Sequence, residues 1–203
     1  MSDIKTRWIE PVIALLVELV RTSTETVKSL VLVNMLTHEQ HVALIDEFAS
    51  DADGNRKLYR ELIKAAFGLD EVEVKKMAVP DYNSLLEKVE EVFGKDSFYW
   101  FEKLGVKVAV DNVGVLPLLV PLKTSGGLVD QIELQYPSVE AVDMMHAHPS
   151  EKQQAFILSS CTGLAPEELR QLSPPDWRSL DKRVTDFLYQ TGSYFSPATI
   201  SKS

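Results

Sequence analysis

The feature that most constrains this chain is a correspondence between its two halves. Residues 68–93, GLDEVEVKKMAVPDYNSLLEKVEEVF, align without gaps on 163–188, GLAPEELRQLSPPDWRSLDKRVTDFL. Eight positions are identical: Gly68/Gly163, Leu69/Leu164, Glu73/Glu168, Pro80/Pro175, Asp81/Asp176, Ser84/Ser179, Leu85/Leu180 and Val89/Val184. Val74/Leu169, Lys75/Arg170, Met77/Leu172, Tyr82/Trp177 and Lys88/Arg183 keep their chemistry. Upstream, 12–32 runs beside 115–134. Each gives an apolar run, a Thr-Ser turn, a Val and a second apolar run. Downstream, Ser97-Phe98-Tyr99 echoes Ser193-Tyr194-Phe195. Helix periodicity alone does not dictate the Gly-Leu and Pro-Asp-aromatic punctuation. The pattern therefore predicts a tandem duplication of one small unit.

Two units of roughly 95 residues fit a chain of 203 residues that is 45% hydrophobic. The net charge of −9 disfavours a nucleic-acid backbone or an anionic membrane as partner. The single cysteine, Cys161, excludes an internal disulfide and suits a reducing compartment. The opening MSDIKTRWIE lacks the apolar core of a signal peptide. The apolar run Val12–Val20 is interrupted by Glu18 and is too short to span a bilayer. These features predict a soluble, intracellular protein.

Each half opens with β character. Ile13–Leu19 and Val27–Val33 flank a Thr/Ser-rich turn; Leu116–Leu122 and Val129–Gln135 flank Ser125-Gly126-Gly127. Gly-Gly supplies the positive φ of a tight reversal, so the second hairpin is the better marked. The first run has little alternation, which leaves a helix over 11–20 open. Each half then turns helical. Thr37 and Ser138 stand at N-cap positions, and Thr37-His38-Glu39-Gln40 has the form of a capping box. Helices are predicted at about 38–49 and 138–147, 56–67 and 150–162, and 70–77 and 165–172. The second pair ends at Gly68 and Gly163, suited to left-handed caps. Pro80 and Pro175 open a last helix, with Asp81 and Asp176 near its positive end. Leu85, Val89 and Val92, and Leu180, Val184 and Phe187, share a core-facing stripe. The expected fold is α+β: two tandem units, each a β-hairpin followed by three or four short helices. The units span 1–97 and 113–203, joined by an aromatic-rich connector at 98–112.

Fragments that suggest catalysis lack their complements. His146-Ala147-His148-Pro149 resembles the His-x-His-Pro zinc site of JAMM metalloproteases. The positions of that family's Ser and Asp fall near Phe156 and Thr162, which cannot serve. A metal-dependent hydrolase using His146 and His148 is the reading of another class. His38 and His41 are three apart, one short of the zincin spacing. Asp51-Ala52-Asp53-Gly54-Asn55 opens like a calcium loop, but Arg56 stands where the loop needs Gly and Leu62 where it needs Glu. Cys161 lies in an apolar helical stretch and reads as core. No cofactor, metal or catalytic residue is expected, and the protein reads as a non-enzyme.

The second half carries LVPLKTSGGLVDQIELQYPSVEAVDMM and then AFILSSCTGLAPEELRQLSPPDWRSLDKRVTDFL. Over roughly 115–188 this resembles the Mu-like phage tail assembly chaperones. That family shows a short hairpin, then Pro and an amphipathic helix. A helix ending in Thr-Gly-Leu follows, then Pro and Leu residues, then an Asp before the last helix. Pro137, Thr162-Gly163-Leu164, Pro166, Leu169, Leu172 and Asp176 fill those places. The first half departs from the pattern: Ala66-Phe67-Gly68-Leu69 replaces Thr-Gly-Leu, and Glu71 replaces Pro166. The resemblance implies a chaperone of the host cytoplasm during phage assembly. Its partners would be the tape measure protein and the tail tube protein, with a homo-oligomer open. A structural tail or baseplate component is the alternative within the interaction class. Neighbouring aromatics cannot all face one core. Either the first segment glues the two units and the second folds back onto its own hairpin, or part of this surface receives a partner; on the second reading Phe98, Tyr99, Trp100, Phe101, Tyr194 and Phe195 are the candidate partner-binding residues.

Overall fold

The computed structural model describes residues 6–21, 25–108 and 113–195. The Thr22-Ser23-Thr24 turn, the first half of the MSDIKTRWIE opening and the end of the 98–112 connector lie outside the described residues. The chain divides into two compact units. One is Trp8–Lys95 with Ser173–Pro175; the other is Asp96–Leu172 and the chain from Asp176, with Thr6 and Arg7 from near the start.

The N-terminal unit opens with β1 (Val12–Val20) paired antiparallel to β2 (Thr26–Val31). The β-branched and aliphatic run Val12–Val20 is a strand, not the alternative helix. Its register breaks in the middle. Ala14 faces Ser29 and Leu19 faces Val27, so Leu15–Glu18 bulge opposite Lys28 alone. Four helices follow: α1 (His38–Phe48), α2 (Gly54–Phe67), α3 (Glu71–Lys76) and α4 (Val79–Gly94). Thr37 and Gln40 form the expected capping box, each bonding the other's backbone N–H. Asp70 and Glu73 do the same for α3. Helix α2 stops at Gly68, whose φ of 64° is the left-handed cap. Gly54 has a different reason: a Cβ there would stand 2.1 Å from the Phe48 carbonyl oxygen. Pro80 sits in the first turn of α4, and Leu85, Val89 and Val92 are all fully buried. That stripe packs α4 against α2 and β1. Each such side chain contributes about 1.5–3 kcal/mol relative to exposure.

The C-terminal unit begins with α5 (Ser97–Lys103), capped by the Asp96 carboxylate, which accepts from the Tyr99 N–H at 2.9 Å. The aromatic run Phe98–Phe101 is thus helical. Then come β3 (Val115–Thr124) and β4 (Gly127–Glu133), with Gly127 at φ 118° in the turn. This hairpin has the same break: Pro117 faces Gln131 and Leu122 faces Val129, so Leu118–Pro121 bulge opposite Asp130. Helices α6 (Val139–Ala147), α7 (Ser150–Thr162), α8 (Pro166–Leu169) and α9 (Pro174–Tyr189) complete it. Ser138 caps α6 through the Ala141 N–H, and α7 ends at Gly163 with φ 70°. The core gathers Leu116, Leu118, Leu122, Ile132, Leu158, Leu169, Leu172, Leu180 and Val184. Trp177 is half-buried against it, as is Phe98 from α5. Helix α5 is also tied to α9 by a buried serine pair, with the Ser97 and Ser179 hydroxyls 2.7 Å apart.

In both units the aspartate after the helix-opening proline reaches back to the bulge. Asp81 accepts from the Leu16 and Val17 N–H groups at 2.6 and 3.0 Å. Asp176 accepts from Leu119 and Val120 at 2.7 and 3.1 Å. A bulge leaves backbone donors without a ladder partner. One carboxylate satisfies two of them and fixes the last helix to the hairpin.

Candidate partner-binding site

The six aromatic residues singled out by the sequence fall in different settings. Trp100 and Phe101 are 2% and 1% exposed and offer no surface. Phe98 and Tyr99 are half-buried. Phe98 stands edge-on to Phe101 at 6.1 Å, and the Arg183 guanidinium lies over its ring at 5.7 Å. Tyr99 is edge-on to Trp100 at 5.4 Å, and the Lys103 ammonium caps both rings. Tyr194 and Phe195 are different: Tyr194 is 52% exposed.

Local chain geometry explains where Tyr194 and Phe195 go. Helix α9 ends at Tyr189, and the chain turns through Gly192, with the Tyr194 and Phe195 N–H groups donating to the Thr191 and Gly192 carbonyls. The turn brings Phe195 back onto Phe187 of α9, at 5.5 Å between centroids. Tyr136 completes the group, 4.6 Å from Phe187 and 5.5 Å from Phe195. It leaves β4 just before Pro137 and is 58% exposed. Tyr136, Phe187, Gln190, Gly192 and Phe195 line an open hollow of about 420 Å³. These rings combine large apolar faces with few rotatable bonds, as binding anchors do. Arg183 lies one helical turn before Phe187. Burial holds its guanidinium below its ordinary pKa, while Asp186, Tyr194 and Tyr136 act against that shift. Its Nη1 is buried without a hydrogen-bond partner in the described structure. The hollow is walled by three aromatic rings, with Gln190 as its polar member.

Sequence reasoning missed Tyr136 and Phe187. Tyr136 continues the alternation Ile132, Leu134, Tyr136 and so reads as inward. Pairing ends at Glu133, and the ring is freed to turn outward. Phe187 reads as part of the core stripe, and it packs on the core's edge while also forming the hollow's wall.

The histidines are placed as ordinary side chains. His41 is buried and stacked on Phe93 at 5.2 Å, and His148 lies against Phe156 at 4.7 Å. Among the described residues, no group of three or more His, Cys, Asp or Glu is placed to hold a metal ion. In the turn before α2, Asp51 is paired with Lys57 and accepts from the Asp53 N–H. Cys161 is 1% exposed, and burial pushes its thiol up to about 11. No described helix is long and apolar enough to cross a membrane.

The hairpin, the left-handed stop at Gly163 and the aspartate-led last helix all lie within one matched segment. Residues 116–189 match the family model of phage tail assembly chaperone proteins, E, or 41 or 14. Over this segment the chain is similar to the phage tail assembly chaperone family. The segment contains Tyr136, Arg183 and Phe187 and stops just short of Tyr194 and Phe195. No curated protein and no solved structure matches the chain.

Proposed function

We propose that this protein is a non-catalytic phage tail assembly chaperone acting in the host cytoplasm. It holds the tape measure protein soluble while tail tube subunits polymerise around it. The observation that carries this reading is the aromatic hollow of Tyr136, Phe187 and Phe195, two of whose three rings come from the segment that matches the chaperone family. A tape measure protein is a long helical chain with exposed apolar faces. A shallow aromatic hollow suits an amphipathic helix that places an apolar anchor in it. We further propose that the two units arose by tandem duplication of one small unit. Supporting this are the shared element order, the matching bulges and the pair Asp81 and Asp176.

Co-expression with the tape measure protein tests the reading. The wild-type chain captures it in a pull-down and keeps it in the soluble fraction. The double variant Tyr136→Ser, Phe187→Ser loses capture by at least about tenfold while circular dichroism stays unchanged. Undiminished capture by that folded variant removes the hollow as the site. Stoichiometric incorporation into purified virions would favour a structural tail or baseplate component instead.

A further inference from the structure

Helix α5 shows what the bulged hairpin and last helix of a unit can hold. In the C-terminal unit it packs on β3 and is bonded to α9. The Ser97 N–H donates to the Ser179 hydroxyl oxygen at 3.0 Å, and the two hydroxyls are 2.7 Å apart. The next residue, Phe98, packs on the unit's core, with the Arg183 guanidinium 5.7 Å over its ring. Ser179 stands one helical turn beyond Asp176, which grips the bulge at Leu119 and Val120, and Arg183 one turn beyond Ser179. Bulge, aspartate, serine and cation thus form one seat. With α5 on that seat and Thr6 and Arg7 bonded to the Leu119 carbonyl, Leu119 and Ser179 are buried.

The N-terminal unit has the same seat with no helix on it. Asp81 grips Leu16 and Val17, Ser84 follows one turn on, and Lys88 one turn after that. Leu16 and Val17 are 77% and 55% exposed, and Ser84 is exposed. The Ser84 hydroxyl donates to the Pro80 carbonyl of its own helix, so its oxygen is still able to accept, as that of Ser179 does. Lys88, in the place of Arg183, is half-buried with its ammonium paired to Glu91. An incoming ring would meet its aliphatic stem. An added strand fits this place poorly, because Asp81 already takes the Leu16 and Val17 donors. The same two donors are taken in the C-terminal unit, where a helix sits. The chain has no second α5 to offer among the described residues: α5 belongs to the C-terminal unit, and after α9 the chain turns at Gly192.

We propose that the Leu16–Val17 bulge and Ser84 form a docking seat for a short helix of another protein, one that opens on a small hydroxyl residue followed by an aromatic ring, as α5 does. The seat lies in the other unit from the aromatic hollow, and the proposal does not rest on the chaperone reading. The probe is the sequence of α5 itself, a peptide of residues 95–105, KDSFYWFEKLG. Tyr99→Glu in the peptide, bridged to Lys103 by a lactam, keeps so short a chain helical. Titrated into the full-length protein, it should move the amide resonances of Leu16, Val17 and Ser84 saturably and leave those of Leu119, Val120 and Ser179 fixed. Phe98→Ser in the peptide should weaken binding at least about tenfold. Leu16→Glu and Ser84→Lys in the protein, both at exposed positions, should do the same with an unchanged thermal melt. Shifts at Leu119 and Ser179 would mean that the peptide merely displaces α5, and they overturn the proposal. Binding indifferent to both protein variants overturns it too, as do shifts that fail to saturate at millimolar peptide.

Discussion

Leu16 and Leu119 hold the same place in two hairpins and have opposite fates. Each donates its backbone N–H to the carboxylate of a helix-leading aspartate, at the centre of a bulge of the same size. Yet Leu16 is 77% exposed and Leu119 is fully buried. The C-terminal bulge also receives the chain's start. The Arg7 N–H and the Thr6 hydroxyl donate to the Leu119 carbonyl, at 3.1 and 3.3 Å. The Arg7 guanidinium reaches the carbonyls of Leu118 and Asp130, both at 2.7 Å, and the Asp130 carboxylate. Asp130 has Lys28 as its counterpart in the first hairpin, where an arginine would be repelled. One local design thus serves as a covered, structural sheet in one unit and as an open face in the other. Backbone geometry sets the bulge, and a few side chains set what may lie on it.

The largest test of this contrast is to remove the two aspartates separately. Asp176→Ala strands the Leu119 and Val120 donors in a buried setting, so about 3 kcal/mol or more of stability is lost. Asp81→Ala leaves Leu16 and Val17 on an exposed bulge where water can replace the carboxylate, and about 1–2 kcal/mol is expected. Urea unfolding with amide exchange at the four donors reads both. Equal costs would mean that burial of the bulge is irrelevant to how the carboxylate acts.

Removing the cover comes next. Arg7→Ala deletes its side-chain bonds to Leu118 and Asp130 from a partly exposed site, a loss of about 1–2 kcal/mol. Amide exchange should quicken around Leu118–Pro121 and leave Leu15–Glu18 unchanged. A variant as stable as wild type would show that Leu119 is buried for reasons unrelated to Arg7.

The glycine stops should be insensitive to the difference between the units. Gly68→Ala and Gly163→Ala each force a left-handed φ on a residue with a Cβ, costing about 1 kcal/mol. Neither meets a close neighbour: at Gly68 the nearest atom is a Val33 methyl at 3.5 Å, and Gly163 faces open space. Clearly unequal costs would point to packing rather than backbone conformation as the reason for glycine.

What was legible in the sequence follows from range. Caps and stops act within four residues, so Thr37-Gln40, Ser138, Gly68 and Gly163 could be read directly. The ungapped match of 68–93 on 163–188 placed the element order in both halves. From the sequence, the aspartates do no more than favour a helix's positive end. Their main partners lie 65 and 57 residues away, and nothing in a Pro-Asp dipeptide names them. Arg7 meets Asp130 across 123 residues, so the start of the chain could not be seen to join the second hairpin. The bulges left one trace, the poor alternation of Val12–Val20, which kept a helix open as an alternative. The aromatic run at 98–101 was recognised as significant, but α5 buries two of its four rings. In the candidate site, Tyr194 and Phe195 were found because adjacent aromatics stand out. Tyr136 and Phe187 look like core residues, and the end of strand pairing at Glu133 decides otherwise for Tyr136.

The finest distinction between the units lies in a matched pair of glutamates. Glu73 and Glu168 each bond the backbone N–H three residues before them and then reach to the hairpin's turn end. Glu73 meets the guanidinium of Arg21, at 3.0 Å. Glu168 meets no cation there but the Ser125 backbone N–H, at 2.6 Å, and the Ser125 side chain. The Ser125 backbone bond, seconded by the Ala165 N–H, holds the Glu168 carboxyl below its ordinary 4.5. A carboxylate whose pKa is depressed on folding contributes stability that is fully present above 4.5. The contribution is lost as pH falls through the lower, folded value, because the unfolded chain takes up its proton first. Thermal melts of wild type and Glu168→Gln should therefore stay a constant interval apart from pH 7 to 5 and converge below pH 4.5. The effect is small, since the group is exposed and solvent screens it. Curves that remain parallel down to pH 3 would show that Glu168 acts through its shape and not its charge, which would make the two glutamates alike in geometry alone.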